Sequence, residues 1–158
     1  MYVQVETQKA LARWLMSTIR TPDVAWQDWL NGRPAVLRTG VHFDAVRMPM
    51  ELVHAAFSST QPEIVSGGLA EVLDGPVIAD PAAYYYALVP AGTAETWRSV
   101  LGVVRGRGGW LVVPRLDRTD PGGPYWAVPP VKVGKLCGAV DVAELLRVGQ
   151  ARLDGTTP

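Results

Sequence analysis

The chain has 158 residues, 48% of them hydrophobic, with 15 basic and 15 acidic side chains. That size and composition fit one domain with a buried core and exclude a disordered chain. Zero net charge argues against binding nucleic acid through bulk charge, and no apolar run reaches the roughly 18 residues that would read as a membrane span. Residues Met1 to Glu6 carry neither the basic start nor the apolar segment of a secretion signal. Cys137 is the only cysteine, so it can make no internal disulfide and no cysteine-based metal cluster. The expectation is a single domain over residues 1–150 in a reducing cytoplasm, with a tail over 151–158 that frays from Asp154.

In chain order, residues 7–19 read as an amphipathic helix, since Leu11, Trp14, Leu15, Thr18 and Ile19 recur at three- and four-residue spacing. Thr21-Pro22-Asp23 starts a short helix carrying Trp26, Trp29 and Leu30. Helical spacing places these tryptophans on core faces rather than on a stacking surface. Two strands follow around Gly40, at residues 35–39 and 41–48, and then a helix over 50–57. Residues 58–68 read as a mobile polar loop, 69–73 as a short helix, and 76–79 and 84–89 as strands. Thr93 caps a helix reaching Trp97 and Arg98. Strands at 101–104 and 110–113 flank a glycine turn, residues 115–123 form a charged loop, 125–128 is a strand, and Asp141 begins a last helix over 142–148. Strands and helices mix without regular alternation, so the fold class is α+β with a mixed, largely antiparallel sheet and flanking helices.

Charge is unevenly spread. Between Arg47 and Arg98 there is no Lys or Arg, while six acids lie there, and from Arg98 to Arg118 five arginines face Asp117 alone. The excess of Arg over Lys is explained first by a GC-rich coding sequence, given the accompanying Ala, Gly, Pro and Val.

Few residues suggest chemistry. His42 and Asp44 alternate in a strand and would share a face, a weak metal or acid–base pair with too few ligands. His54 sits among Ala55, Ala56 and Phe57 as a packing residue. Arg105-Gly106-Arg107-Gly108-Gly109 has the composition of a phosphate cradle. It lacks the Gly-Lys-Ser/Thr ending of a P-loop, and the following segment is a strand, which favours a plain hairpin turn. No Gly-x-Ser-x-Gly elbow occurs, and Cys137 has no nearby His to activate it.

The run Val104-Arg105-Gly106-Arg107-Gly108-Gly109-Trp110-Leu111-Val112-Val113-Pro114, followed by Gly122-Gly123-Pro124-Tyr125-Trp126, resembles the bifunctional primase-polymerase branch of the archaeo-eukaryotic primase superfamily. Upstream, Gly75-Pro76-Val77-Ile78-Ala79-Asp80-Pro81 with Tyr84-Tyr85-Tyr86-Ala87-Leu88-Val89-Pro90 is similar to a strand-turn-strand of those domains, and Thr39-Gly40-Val41-His42-Phe43-Asp44-Ala45-Val46 takes the place of their first catalytic strand. The order matches over residues 35–130. The resemblance implies an Asp-x-Asp/Glu pair for divalent metal, a strand His and a third Asp. Here the pair reads Asp44 and Val46, the His position falls at Tyr84 or Tyr85, and the third Asp falls at Val103. The loop after Val113 also reads Pro114-Arg115-Leu116, where the family has Pro-Pro-Ser.

The resemblance therefore implies a catalytically degenerate domain, without cofactor or membrane, that acts as a binding module in replication or gene regulation. For DNA as partner, Arg105, Arg107, Arg115 and Arg118 are the phosphate candidates, and Trp110, Tyr125 and Trp126 the stacking candidates. Two alternatives stay open. One is a protein–protein interaction module without nucleic acid. The other is a divergent metal-dependent nucleotidyltransferase built on His42 and Asp44.

Overall fold

A computed structural model of the chain describes residues 2–155, with side chains from Gln4 onward. It has the α+β class expected. A five-stranded sheet has the order β5 (Val103–Arg105), β2 (Phe43–Pro49), β4 (Tyr84–Pro90), β3 (Val77–Asp80), β7 (Tyr125–Val128). Every pairing in it is antiparallel. A separate two-stranded antiparallel sheet pairs β1 (Ala35–Arg38) with β6 (Trp110–Val113).

Alternation along the strands divides the core in two. One sheet face presents Val46, Met48, Ala79, Tyr85, Ala87 and Val89, and is covered by α3 (Met50–Phe57), α4 (Pro62–Leu73) and α6 (Ala139–Leu153). The other face presents Phe43, Ala45, Ile78, Tyr86, Leu88 and Trp126. It is covered by α1 (Tyr2–Met16), α2 (Asp23–Leu30) and the inward residues of β1 and β6. A side chain such as Trp126, 1% exposed, contributes roughly 1.5–3 kcal/mol through burial alone.

Several boundaries differ from the sequence expectation. The segment read as a loop over 58–68 is mostly α4, which starts at Pro62 and buries Val65, Leu69 and Leu73 at four-residue spacing. Ser66, Gly67 and Gly68 disfavour a helix locally, and burial of that stripe overrides them. The first helix begins earlier than expected and ends at Met16. Ser17 Oγ donates to the Trp14 carbonyl and Thr18 Oγ1 to the Leu15 carbonyl, taking up acceptors at the helix end. The last helix extends from Ala139 to Leu153, into the segment read as a tail over 151–158. Of the expected fraying from Asp154, residues 156–158 lie outside the described residues. α5 is a single turn, Thr93–Thr96, and does not reach Arg98.

The glycine turn is not a hairpin, because β5 and β6 belong to different sheets. Two connections, β1 to β2 and β5 to β6, cross between the sheets at one corner. Thr39 seals it: its N–H donates to the Gly109 carbonyl at 3.0 Å and its hydroxyl to the Gly106 carbonyl at 2.6 Å. Gly40 has a φ of +81°, and a Cβ there would lie 2.4 Å from the Arg107 Cα. Only glycine permits both the conformation and the approach.

Candidate nucleic-acid interface

At this corner the structure gathers a continuous chain of cations and rings. The Arg38 guanidinium lies 5.0 Å from the centre of the Trp110 ring, and these residues are cross-strand partners on the outward face of the small sheet. The Trp110 carbonyl accepts a bond from Arg105 Nη1 at 3.1 Å. Arg105 reaches across the short side chain of Ala45, its β2 partner, to lie 5.1 Å from the centre of the Tyr86 ring. The Tyr86 and Tyr84 rings are 6.4 Å apart, and Arg47 lies 4.5 Å from the centre of Tyr84. Arg107 projects from the neighbouring turn and is exposed.

Each cation–ring contact contributes about 0.5–1 kcal/mol where water reaches it. The contacts bias the guanidinium groups toward these positions. Among the described residues Arg38, Arg47, Arg105 and Arg107 have no carboxylate partner within ion-pair distance. Trp110 remains 48% exposed beside them. Uncompensated guanidiniums next to a half-exposed indole suit a ligand that combines negative charge with planar rings.

The sequence candidates divide sharply. Arg105, Arg107 and Trp110 fall in this cluster. Arg115 does not. Its Nε and Nη2 donate to the Asp117 carboxylate at 2.7 and 2.8 Å, and its Nη1 donates to the Trp29 carbonyl at 3.2 Å. This hydrogen-bonded pair holds the Asp117 carboxyl below the usual carboxylate range. Arg118 bonds the Gly122 carbonyl and organises its own loop.

Tyr125 and Trp126 cannot stack on a base as the structure stands. Both are buried, on opposite faces of the sheet. Trp126 Nε1 donates to the Pro114 carbonyl at 3.0 Å, and burial pushes the Tyr125 hydroxyl above its ordinary pKa. Alternation in β7 makes both members of the pair core residues, because helices cover one face and the small sheet covers the other.

The weak metal pair is also separated. His42 Nε2 is 2.7 Å from Ser17 Oγ, and its ring stacks on Trp14 at 5.8 Å, so it fastens α1 to the sheet. Asp44 is 0% exposed and turns toward α5, where its Oδ2 accepts bonds from the backbone N–H groups of Gly92 at 3.1 Å and Ala94 at 2.9 Å. Among the described residues no group of three or more His, Cys, Asp or Glu side chains comes together that could hold a metal ion.

The positions aligned with a primase-polymerase centre fall on both faces of the sheet. Asp44, Val46 and Tyr85 belong to the face covered by α3, α4 and α6. Tyr84 pairs with Asp80 and Pro49 on the opposite face, the face that Val103 shares with its partner Arg47.

His54 Nε2 is 2.9 Å from the Tyr85 hydroxyl, and burial lowers the His54 pKa and raises that of Tyr85 to about 12. This pair ties α3 to β4, in keeping with a packing role.

Sequence reasoning missed Arg38, Arg47 and Tyr86. The alternation of the strands around them was legible, but which face stayed open depended on where the small sheet settles. No family model, curated protein or solved structure matches this chain.

Proposed function

We propose that this domain is a non-catalytic binding module for single-stranded nucleic acid, and that Arg38, Arg47, Arg105 and Arg107, with Trp110, form its contact surface, the buried Tyr86 serving only as a rest for Arg105. The observation that carries this reading is the continuity of the chain: cations held on rings, without acidic partners, beside a half-exposed tryptophan. Guanidiniums neutralise phosphates, and an exposed indole accepts a base at about 1–3 kcal/mol. A single strand suits the surface better than a duplex, because the Trp110 face requires an unpaired base. The reading keeps the degenerate form of the primase-polymerase resemblance and draws no activity from it.

Fluorescence anisotropy with labelled oligothymidylate and a duplex of equal length tests the reading. With four phosphate contacts, single-strand affinity falls roughly fiftyfold between 50 and 200 mM salt. Trp110→Ala weakens single-strand binding by at least about fivefold, the low end of the stacking range. No binding at 50 mM salt, or tighter binding to duplex, would contradict the proposal.

A further inference from the structure

A second surface uses none of the residues in the arginine–aromatic chain. Helices α1 and α2 and the segment around Leu116 enclose an open groove of about 580 Å³. Its floor is apolar: Ala12, Trp26, Trp29, Leu30 and Leu116. Leu30 is 72% exposed, and Trp26 packs edge-on against Trp29 at 5.8 Å, which holds the floor in shape. Leu30 alone would be ordinary surface, but with the half-buried Trp26 it borders a preformed, mostly apolar hollow of ligand-binding size.

The rim is asymmetric in charge. Lys9 and Arg13 line the groove with one carboxylate, Glu6, and the third cation there, Arg115, is already paired with Asp117. Lys9 meets Glu6 only at 4.0 Å, with both side chains well exposed. Arg13 bonds the Lys9 carbonyl and, among the described residues, has no carboxylate partner. Lys9 and Arg13 stand one helical turn apart on the same face of α1. They present two positive charges at the spacing of successive turns of a facing helix.

We infer that this groove docks an acidic amphipathic helix of a protein partner, whose apolar side chains enter between α1 and α2 and whose carboxylates face Lys9 and Arg13. The volume accommodates the two or three apolar anchors that helix-in-groove recognition uses at i, i+3/i+4 and i+7.

The test uses a synthetic helical peptide with Leu anchors at that spacing and Glu elsewhere, together with a version in which Lys replaces Glu. Binding is read from Trp fluorescence and from amide shifts in the folded domain. The Glu peptide binds at least about tenfold tighter than the Lys peptide, Lys9→Glu/Arg13→Glu reverses that preference, and Leu30→Glu abolishes binding of both. All three positions are exposed, and thermal melts verify that the variants stay folded. Equal binding of the two peptides, amide shifts away from α1 and α2, or displacement of the peptide by oligothymidylate would overturn the inference. So would a dimer in sedimentation that is lost in Leu30→Glu, since the occupant would then be a second copy.

Discussion

Asp44→Ala is the most informative single substitution for the fold. The carboxylate is fully buried, and its Oδ2 is the acceptor for two backbone N–H groups at the start of α5. Removing it leaves Gly92 and Ala94 N–H without that acceptor. Each bond to a charged acceptor contributes about 1.5–3 kcal/mol. Part of that is offset because the carboxylate is itself costly to bury, and its Oδ1 has no partner. The expected net loss is about 3 kcal/mol, and the melting temperature should fall by roughly 10 °C for a domain of this size. Asp44→Asn keeps one acceptor oxygen and should lose about 1 kcal/mol. Urea unfolding with matched slopes measures both. A loss below about 0.5 kcal/mol in Asp44→Ala would refute the capping role. A wild-type melting temperature that rises with Mg²⁺ or Mn²⁺, with the rise lost in Asp44→Ala, would restore Asp44 as a metal ligand.

Other perturbations follow from the same packing. At Gly149 a Cβ would lie 2.1 Å from the Leu52 carbonyl oxygen where α6 crosses α3, so Gly149→Ala should cost about 1–3 kcal/mol in chemical denaturation; an unchanged midpoint contradicts this close approach. Burial lowers the His54 pKa below 6.5, so the unfolded chain binds the proton first as pH falls. The His54 contribution is complete above pH 6.5 and is lost below it as pH drops through the folded value. His54→Gln should flatten this part of the stability curve, and an unchanged acid limb would count against the assignment. The Cys137 thiol is pushed up to about 12, chiefly by burial, so a disulfide reagent at pH 8 should react only as the fold opens; rapid stoichiometric reaction in the native state contradicts this.

The short strands and the helix at 50–57 were legible because period-two and helical patterns coincide there with proline and glycine punctuation. The α4 helix was hidden, since Ser66, Gly67 and Gly68 speak locally for a loop and only the packing of Val65, Leu69 and Leu73 reveals it. Site residues were less legible for a related reason. Trp110 and Trp126 look alike in sequence, each within three residues of a glycine pair and opening or entering a strand. One faces outward from a two-stranded sheet, and the other is sealed between that sheet and the larger one. Arg47 and Arg105 are distant in sequence and meet tyrosines on β4 only because β5, β2 and β4 are neighbours. Sheet order created the cluster, and local pattern carries no information about sheet order.

The central claim is that the corner arginines, rather than the arginines of the loop after β6, form the nucleic-acid surface. Titrating one labelled oligothymidylate with Arg47→Gln/Arg105→Gln and with Arg115→Gln/Arg118→Gln compares the two directly. The first pair should lose roughly tenfold or more in affinity and flatten the salt dependence by about two phosphate contacts, and the second should stay within about twofold of wild type. Equal losses in both pairs, or a larger loss in the second, would contradict the account.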